Sequence, residues 1–72
     1  MKKYDLALSD FANAIHLDEN SADMYANRAN LLRQMGRYAS AEADAKKALG
    51  LDPANRDYLR LLGDISTERM GY

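Results

Sequence analysis

Residues 22–55 read A-D-M-Y-A-N-R-A-N-L-L-R-Q-M-G-R-Y-A-S-A-E-A-D-A-K-K-A-L-G-L-D-P-A-N. The stretch is two helical patterns back to back, parted by Gly36 and closed by Asp52-Pro53. In the first pattern Tyr25, Ala29 and Leu32 form one apolar row, with Met24, Leu31 and Met35 beside it. Three-, four- and seven-residue steps are those of a helix face. The second pattern carries Ala39, Ala41, Ala43, Ala45 and Ala48. Alanine favours helix, and small side chains let two helix axes approach toward the low end of the ~8–10 Å range. Gly36 suits the left-handed conformation that ends a helix.

Outward from this stretch the pattern recurs at a fixed interval. Tyr4, Tyr38 and Tyr72 are spaced 34 residues apart. At the same offset Ala7 falls on Ala41, Ala14 on Ala48, Ile15 on Leu49, Leu17 on Leu51 and Asp18 on Asp52. A constant period in this range signals stacked structural repeats. Upstream, Leu6-Ala7, Phe11 and Ala14-Ile15 predict a helix over 3–17. Asp18-Glu19-Asn20-Ser21 is a turn in which Asn20 or Ser21 can cap the next helix, and Asp23 suits its positive end. Glu19 stands where the later turn has Pro53, so the first turn is expected to be the looser one. Downstream, Asn55 is the expected cap of a helix over 56–69 whose apolar row is Leu59, Leu62 and Ile65. Met70-Gly71-Tyr72 reads as a turn into a further helix, with Gly71 one residue later than the period places it.

The central stretch resembles a tetratricopeptide repeat. Tyr25 early in a first helix, Ala29 one turn on, Gly36 and Tyr38 at the inter-helix turn, Ala41 and Ala48 on a second helix and the closing A-L-G-L-D-P (48–53) match its joint spacing. The resemblance implies an all-α chain of antiparallel helix-turn-helix repeats, stacked as a short right-handed α-solenoid. Its four helices are expected at about 3–17, 22–35, 38–50 and 56–69. Residues 1–72 then form one domain. In it 1–21 holds the second helix of a partial repeat, 22–55 a complete repeat and 56–72 the first helix of another partial repeat.

Composition narrows the function. At 72 residues the chain is near the size where a core is barely sufficient. With no cysteine, neither a disulfide nor a thiolate metal site reinforces it. One proline and 47% hydrophobic residues exclude a low-complexity, disordered class. A net charge of −1 with both signs interspersed argues against a nucleic-acid or anionic-membrane partner. The apolar runs are too short to span a bilayer, and the start lacks signal-peptide patterning, which leaves the cytoplasm as the default compartment.

Catalytic and metal readings are weak. His16 with Ser9 and Asp10 or Asp18 lies on or beside one helix, which does not give a triad its convergent geometry. His16, Asp18 and Glu19 lack a recognisable metal spacing. Each glycine is isolated and none precedes a phosphate-loop Lys-Ser or Lys-Thr pair. His16 reads as a solvated helix-end histidine and Lys46-Lys47 as a solvated helix face. No cofactor, metal or enzymatic activity is expected.

In tetratricopeptide proteins the first helices of successive repeats line a concave face that holds a peptide or partner helix. Carried onto this chain, the resemblance implies a groove built from Asp23, Ala26, Asn27, Asn30, Arg33 and Gln34 with Asp57, Arg60, Leu61, Asp64 and Glu68. Asn27, Asn30 and Arg33-Gln34 fall on one stripe, and amides both donate and accept hydrogen bonds, which suits peptide backbone. Tyr25-Ala26-Asn27-Arg28-Ala29 also resembles a stretch of repeats that clamp the C-terminal carboxylate of heat-shock chaperones. Here Asp57 and Leu61 stand where that clamp needs two basic residues. The resulting expectation is a non-catalytic protein-interaction module with a protein or peptide partner. The alternative is a structural repeat unit that self-associates through open helical ends at Phe11, Ile15, Leu61, Leu62 and Ile65, forming a homo-oligomer.

Overall fold

The computed structural model describes residues 3–71. Four helices follow one another: α1 (Lys3–Leu17), α2 (Ala22–Gln34), α3 (Tyr38–Leu51) and α4 (Arg56–Arg69). The described residues contain no strand. The helix ends agree with the sequence reading to within one residue. Antiparallel neighbours pack in order, α1 on α2, α2 on α3 and α3 on α4, and α2 also meets α4. The all-α, stacked helix-turn-helix architecture is thus present. The layer measures 31 × 29 × 14 Å, thin enough that few side chains are enclosed on every side.

The turns follow their local chemistry. Gly36 has φ +80°, and its N–H donates to the Arg33 carbonyl while the Arg37 N–H donates to that of Leu32. These are the paired bonds of a Schellman end, where a residue with Cβ is strained. Gly71 repeats the conformation at φ +82°, one residue later than the period places it, because α4 has 14 residues where α2 has 13. Tyr72, which completes that expected turn, lies outside the described residues. Asn55 caps α4 as expected, its side chain accepting from the N–H groups of Asp57 and Tyr58 at 3.0 and 3.3 Å. The N-cap of α2 is Ser21, without a side-chain capping bond. Asn20 instead donates its backbone N–H to the Asp18 carboxylate at 3.2 Å.

The core runs through α2, α3 and α4. Ala29, Ala41, Ala45, Ala48 and Ile65 are wholly enclosed, with Ala26, Leu32, Tyr58 and Leu61 nearly so. The α2–α3 contact therefore relies on alanines, as their number in α3 implies. On α4 the inward row is Tyr58, Leu61 and Ile65, not the expected Leu59, Leu62 and Ile65. Leu59 is 59% exposed. The reason is rotational: adjacent helix positions differ by about 100°, and two neighbours, α3 and α2, claim the Tyr58 side. The expected open ends change accordingly. Ile15, Leu61 and Ile65 are buried within the chain, and Phe11 and Leu62 are half-buried.

One polar pair crosses the main contact. Arg28 on α2 donates from Nε and Nη2 to Asp44 on α3 at 2.7 and 2.9 Å. The fork matches both carboxylate oxygens, and the Asp44 bond holds the Arg28 guanidinium above its ordinary pKa. On the α3–α4 side Glu42 meets Lys46 and Arg69, each at 3.3 Å, and accepts from the Ser66 hydroxyl. Lys47 is not simply solvated, since its ammonium lies 5.9 Å from the Tyr25 ring centroid.

Candidate functional site: the cleft between α2 and α4

Helix periodicity places Asp23, Ala26, Asn27, Asn30 and Arg33 along one side of α2, and Asp57, Arg60, Leu61 and Asp64 along one side of α4. Packing of both helices against α3 turns these sides toward each other. All nine line a single cleft of about 280 Å³, together with Tyr58. Gln34 lies outside it, in an adjoining hollow with Asn30, Arg33, Tyr38 and Glu68. Asp23, Asn27, Asn30, Gln34, Asp57, Arg60 and Asp64 are exposed. Ala26 and Leu61, expected on the surface, are 6% and 8% exposed and form an apolar floor.

Two contacts tie the walls together. Arg33 donates from Nε to both oxygens of Glu68 at 2.8 Å, so the two charges are paired while the Arg33 Nη groups make no hydrogen bond among the described residues. At the other end the Tyr58 hydroxyl donates to the Asp23 carboxylate. That bond, burial, and the charges of Asp23, Asp52 and Asp57 push the Tyr58 phenol up to about 12. Each of these disfavours the phenolate. Sequence reasoning missed Tyr58, because the 34-residue offset sets it on Met24 and conceals the aromatic. It also missed the half-buried Arg28–Asp44 pair, which turns Arg28 away from the cleft. Opposite charges 16 residues apart on consecutive antiparallel helices were the only available signal.

His16, Asp18 and Glu19 at the end of α1, and Ser9 and Asp10 in its middle, are exposed, and Asp18 serves the turn. Among the described residues no group of three or more His, Cys, Asp or Glu side chains is arranged to hold a metal ion. No described helix is long and apolar enough to cross a membrane. What the cleft offers is an apolar floor, two amides one turn apart and a rim of charges. Such a surface forms reversible hydrogen bonds and ion pairs.

Comparison with known proteins agrees with this architecture. The tetratricopeptide-repeat family model matches residues 22–55, the Gly36-centred hairpin of α2 and α3. The chain is 40% identical over 58 residues to Protein SGT1 homolog of Oryza sativa subsp. japonica, which covers 79% of this chain and 16% of that protein. It is 39% identical over 61 residues to Small glutamine-rich tetratricopeptide repeat-containing protein 2 of Mycosarcoma maydis, covering 83% and 17%. It is 32% identical over 62 residues to Tetratricopeptide repeat protein 16 of Mus musculus, covering 86% and 8%. The chain thus spans less than a fifth of the curated relatives it matches. With the repeat, the period and the helix stack in agreement, the chain belongs to the tetratricopeptide-repeat family, whose repeats form helical protein-interaction modules.

Proposed function

We propose that this chain is a non-catalytic binding module that takes a peptide or partner helix in the cleft between α2 and α4. In this reading α2–α3 is the complete repeat. The helix α1 acts as the second helix of a preceding repeat and α4 as the first helix of the following one. The observation that carries it is the convergence of Asn27 and Asn30, exposed and one turn apart, over the apolar floor of Ala26 and Leu61. Amides above an apolar strip suit a ligand with unsatisfied backbone groups and small apolar side chains. Two groove-lining helices offer little area, so affinity should sit at the weak end of the range for specific interfaces. A peptide library screened against the chain tests the proposal. Asn27→Ala with Asn30→Ala should weaken every ligand selected while leaving helicity unchanged, and unaltered affinity would remove these amides from the site. A chaperone C-terminal peptide should not be selected, because Asp57 and Leu61 replace the basic residues that its carboxylate needs.

A second reading rests on a different observation. One period from the packed α2–α3 pair, α4 and α1 carry surfaces of the same kind. At the positions of the buried Leu32 and Ala45 stand Ser66, bonded to Glu42 of α3, and the half-buried Phe11. Leu59 and the half-buried Leu62 lie on that part of α4. This supports head-to-tail contact between α4 of one copy and α1 of another, a geometry that closes a ring or runs on as a filament. Sedimentation equilibrium over a wide concentration range should then show assembly that Leu62→Lys reduces. A monomer at every concentration would dismiss it.

A further inference from the structure

The charges around the cleft do not balance, and their imbalance points to a ligand. Asp23, Asp57 and Asp64 line it, against Arg33 and Arg60. Arg33 is matched by Glu68 through a bond from Nε to each carboxylate oxygen. Arg28, the other guanidinium of α2's central turns, is committed to Asp44 on the far side. Among the described residues Arg60 makes no ion pair, so three carboxylates face one uncommitted cation. Asp52 adds a further negative charge at the Tyr58 end. The N-termini of α2 and α4 offset part of this, each carrying about half a positive charge. A negative potential remains, and an acidic ligand would meet it unfavourably.

Spacing sharpens the inference. Asp57 and Asp64 are seven residues apart on one face of α4. That is two turns, or about 10.5 Å along the axis. In a fully extended strand side chains alternate sides, so positions three apart face opposite ways. In polyproline II they return to the same side after three residues, about 9.3 Å on. That conformation has no internal hydrogen bonds, so its N–H and C=O groups are free for Asn27 and Asn30. A helical ligand with charges seven apart would match the carboxylates too, but its backbone groups are already paired.

We propose that the cleft takes a polyproline-II-like peptide with two basic side chains three positions apart, one at Asp57 and one at Asp64. The inference rests on the groove reading and names its ligand class. Long Lys or Arg side chains absorb the ~1 Å difference between the two spacings. The Tyr58–Asp23 bond holds α2 and α4 in register beneath the ligand.

The test uses three proline-rich peptides of one length, with a pair of Lys, Gln or Glu residues three apart, and fluorescence anisotropy against the chain. The Lys peptide should bind about tenfold tighter than the Gln peptide, with the advantage shrinking as salt is raised. Asp57→Asn with Asp64→Asn should reduce it to the Gln level. Asp64→Asn alone, well away from the helix cap, should remove part of the advantage and serves if the double variant folds poorly. Equal binding of the three peptides, or tighter binding of the Glu peptide, would overturn the charge inference. The groove reading would still stand if Asn27→Ala with Asn30→Ala abolished that binding. If none of the peptides bound, the ligand inference would fall, while the groove reading would be decided separately by the library screen.

Discussion

Removing Arg28 leaves Asp44 without its partner, and the structure sets the size of that loss. The Asp44 side chain is 11% exposed and that of Arg28 25%. Breaking a fully buried pair from one side costs about 3–5 kcal/mol, because the remaining charge loses solvent and partner alike. Here the pair borders a hollow of about 490 Å³ lined by Leu8, Ala12, Arg37 and Ser40, through which water can reach Asp44 after truncation. The expected loss for Arg28→Ala is therefore lower, about 2 kcal/mol. Asp44→Ala should cost less, about 1 kcal/mol, because the longer Arg28 side chain can turn to solvent. A urea titration followed by circular dichroism reads the effect. With a slope near ~1 kcal/mol per molar urea for so small a chain, the Arg28→Ala midpoint should fall by roughly 2 M. The double variant should lose less than the sum, with a coupling of about 1 kcal/mol, since neither partner is stranded. Single losses below about 0.5 kcal/mol, or strict additivity, would refute the view that this pair links α2 to α3.

Other outcomes follow from single positions. Ala41 is fully enclosed between α2 and α3, so Ala41→Leu should overpack the contact, cost roughly 1–3 kcal/mol and lower the melting temperature accordingly. Asn55→Ala should cost about 1 kcal/mol by uncovering the N–H groups of Asp57 and Tyr58. Ser21→Ala should cost less, because Ser21 makes no side-chain capping bond, and a reversed order in thermal melts would contradict the capping assignment. The Tyr58 phenol, raised from 10.0 to about 12, binds its proton more tightly when folded. Its stabilising contribution is whole below pH 10 and is lost as pH rises through about 12. Tyrosinate absorbance should show a late-titrating component that disappears in Tyr58→Phe and moves to lower pH in Asp23→Asn. A component unchanged by Asp23→Asn would show that this carboxylate is not its cause.

How far the sequence could be read depended on the range of the interactions. The helix ends, the Gly36 turn and the Asn55 cap were legible because backbone conformation and capping depend on residues within one turn of each other. The family resemblance ordered the helices, and helix periodicity alone put Asp23, Asn27 and Asn30 on one side of α2. The same reasoning erred where burial depends on a neighbour's position. Leu59 and Leu62 look as apolar as Leu61, but Tyr58, Leu61 and Ile65 enter the core, Leu62 packs at its margin and Leu59 stays exposed.

Periodicity, turn chemistry and charge pattern determine from sequence alone that this is a stack of antiparallel helices with a polar stripe along α2. The tertiary structure decides which charges remain available. Arg28 and Arg33 are both exposed-looking cations on one helix, yet one is spent on Asp44 in α3 and the other on Glu68 in α4. Their partners lie 16 and 35 residues away, set by how helices cross and not by local preference. The cleft's negative balance comes from Asp23, Asp57 and Asp64 once Arg33 is paired with Glu68, and that pairing depends on distance in space, which sequence spacing does not encode.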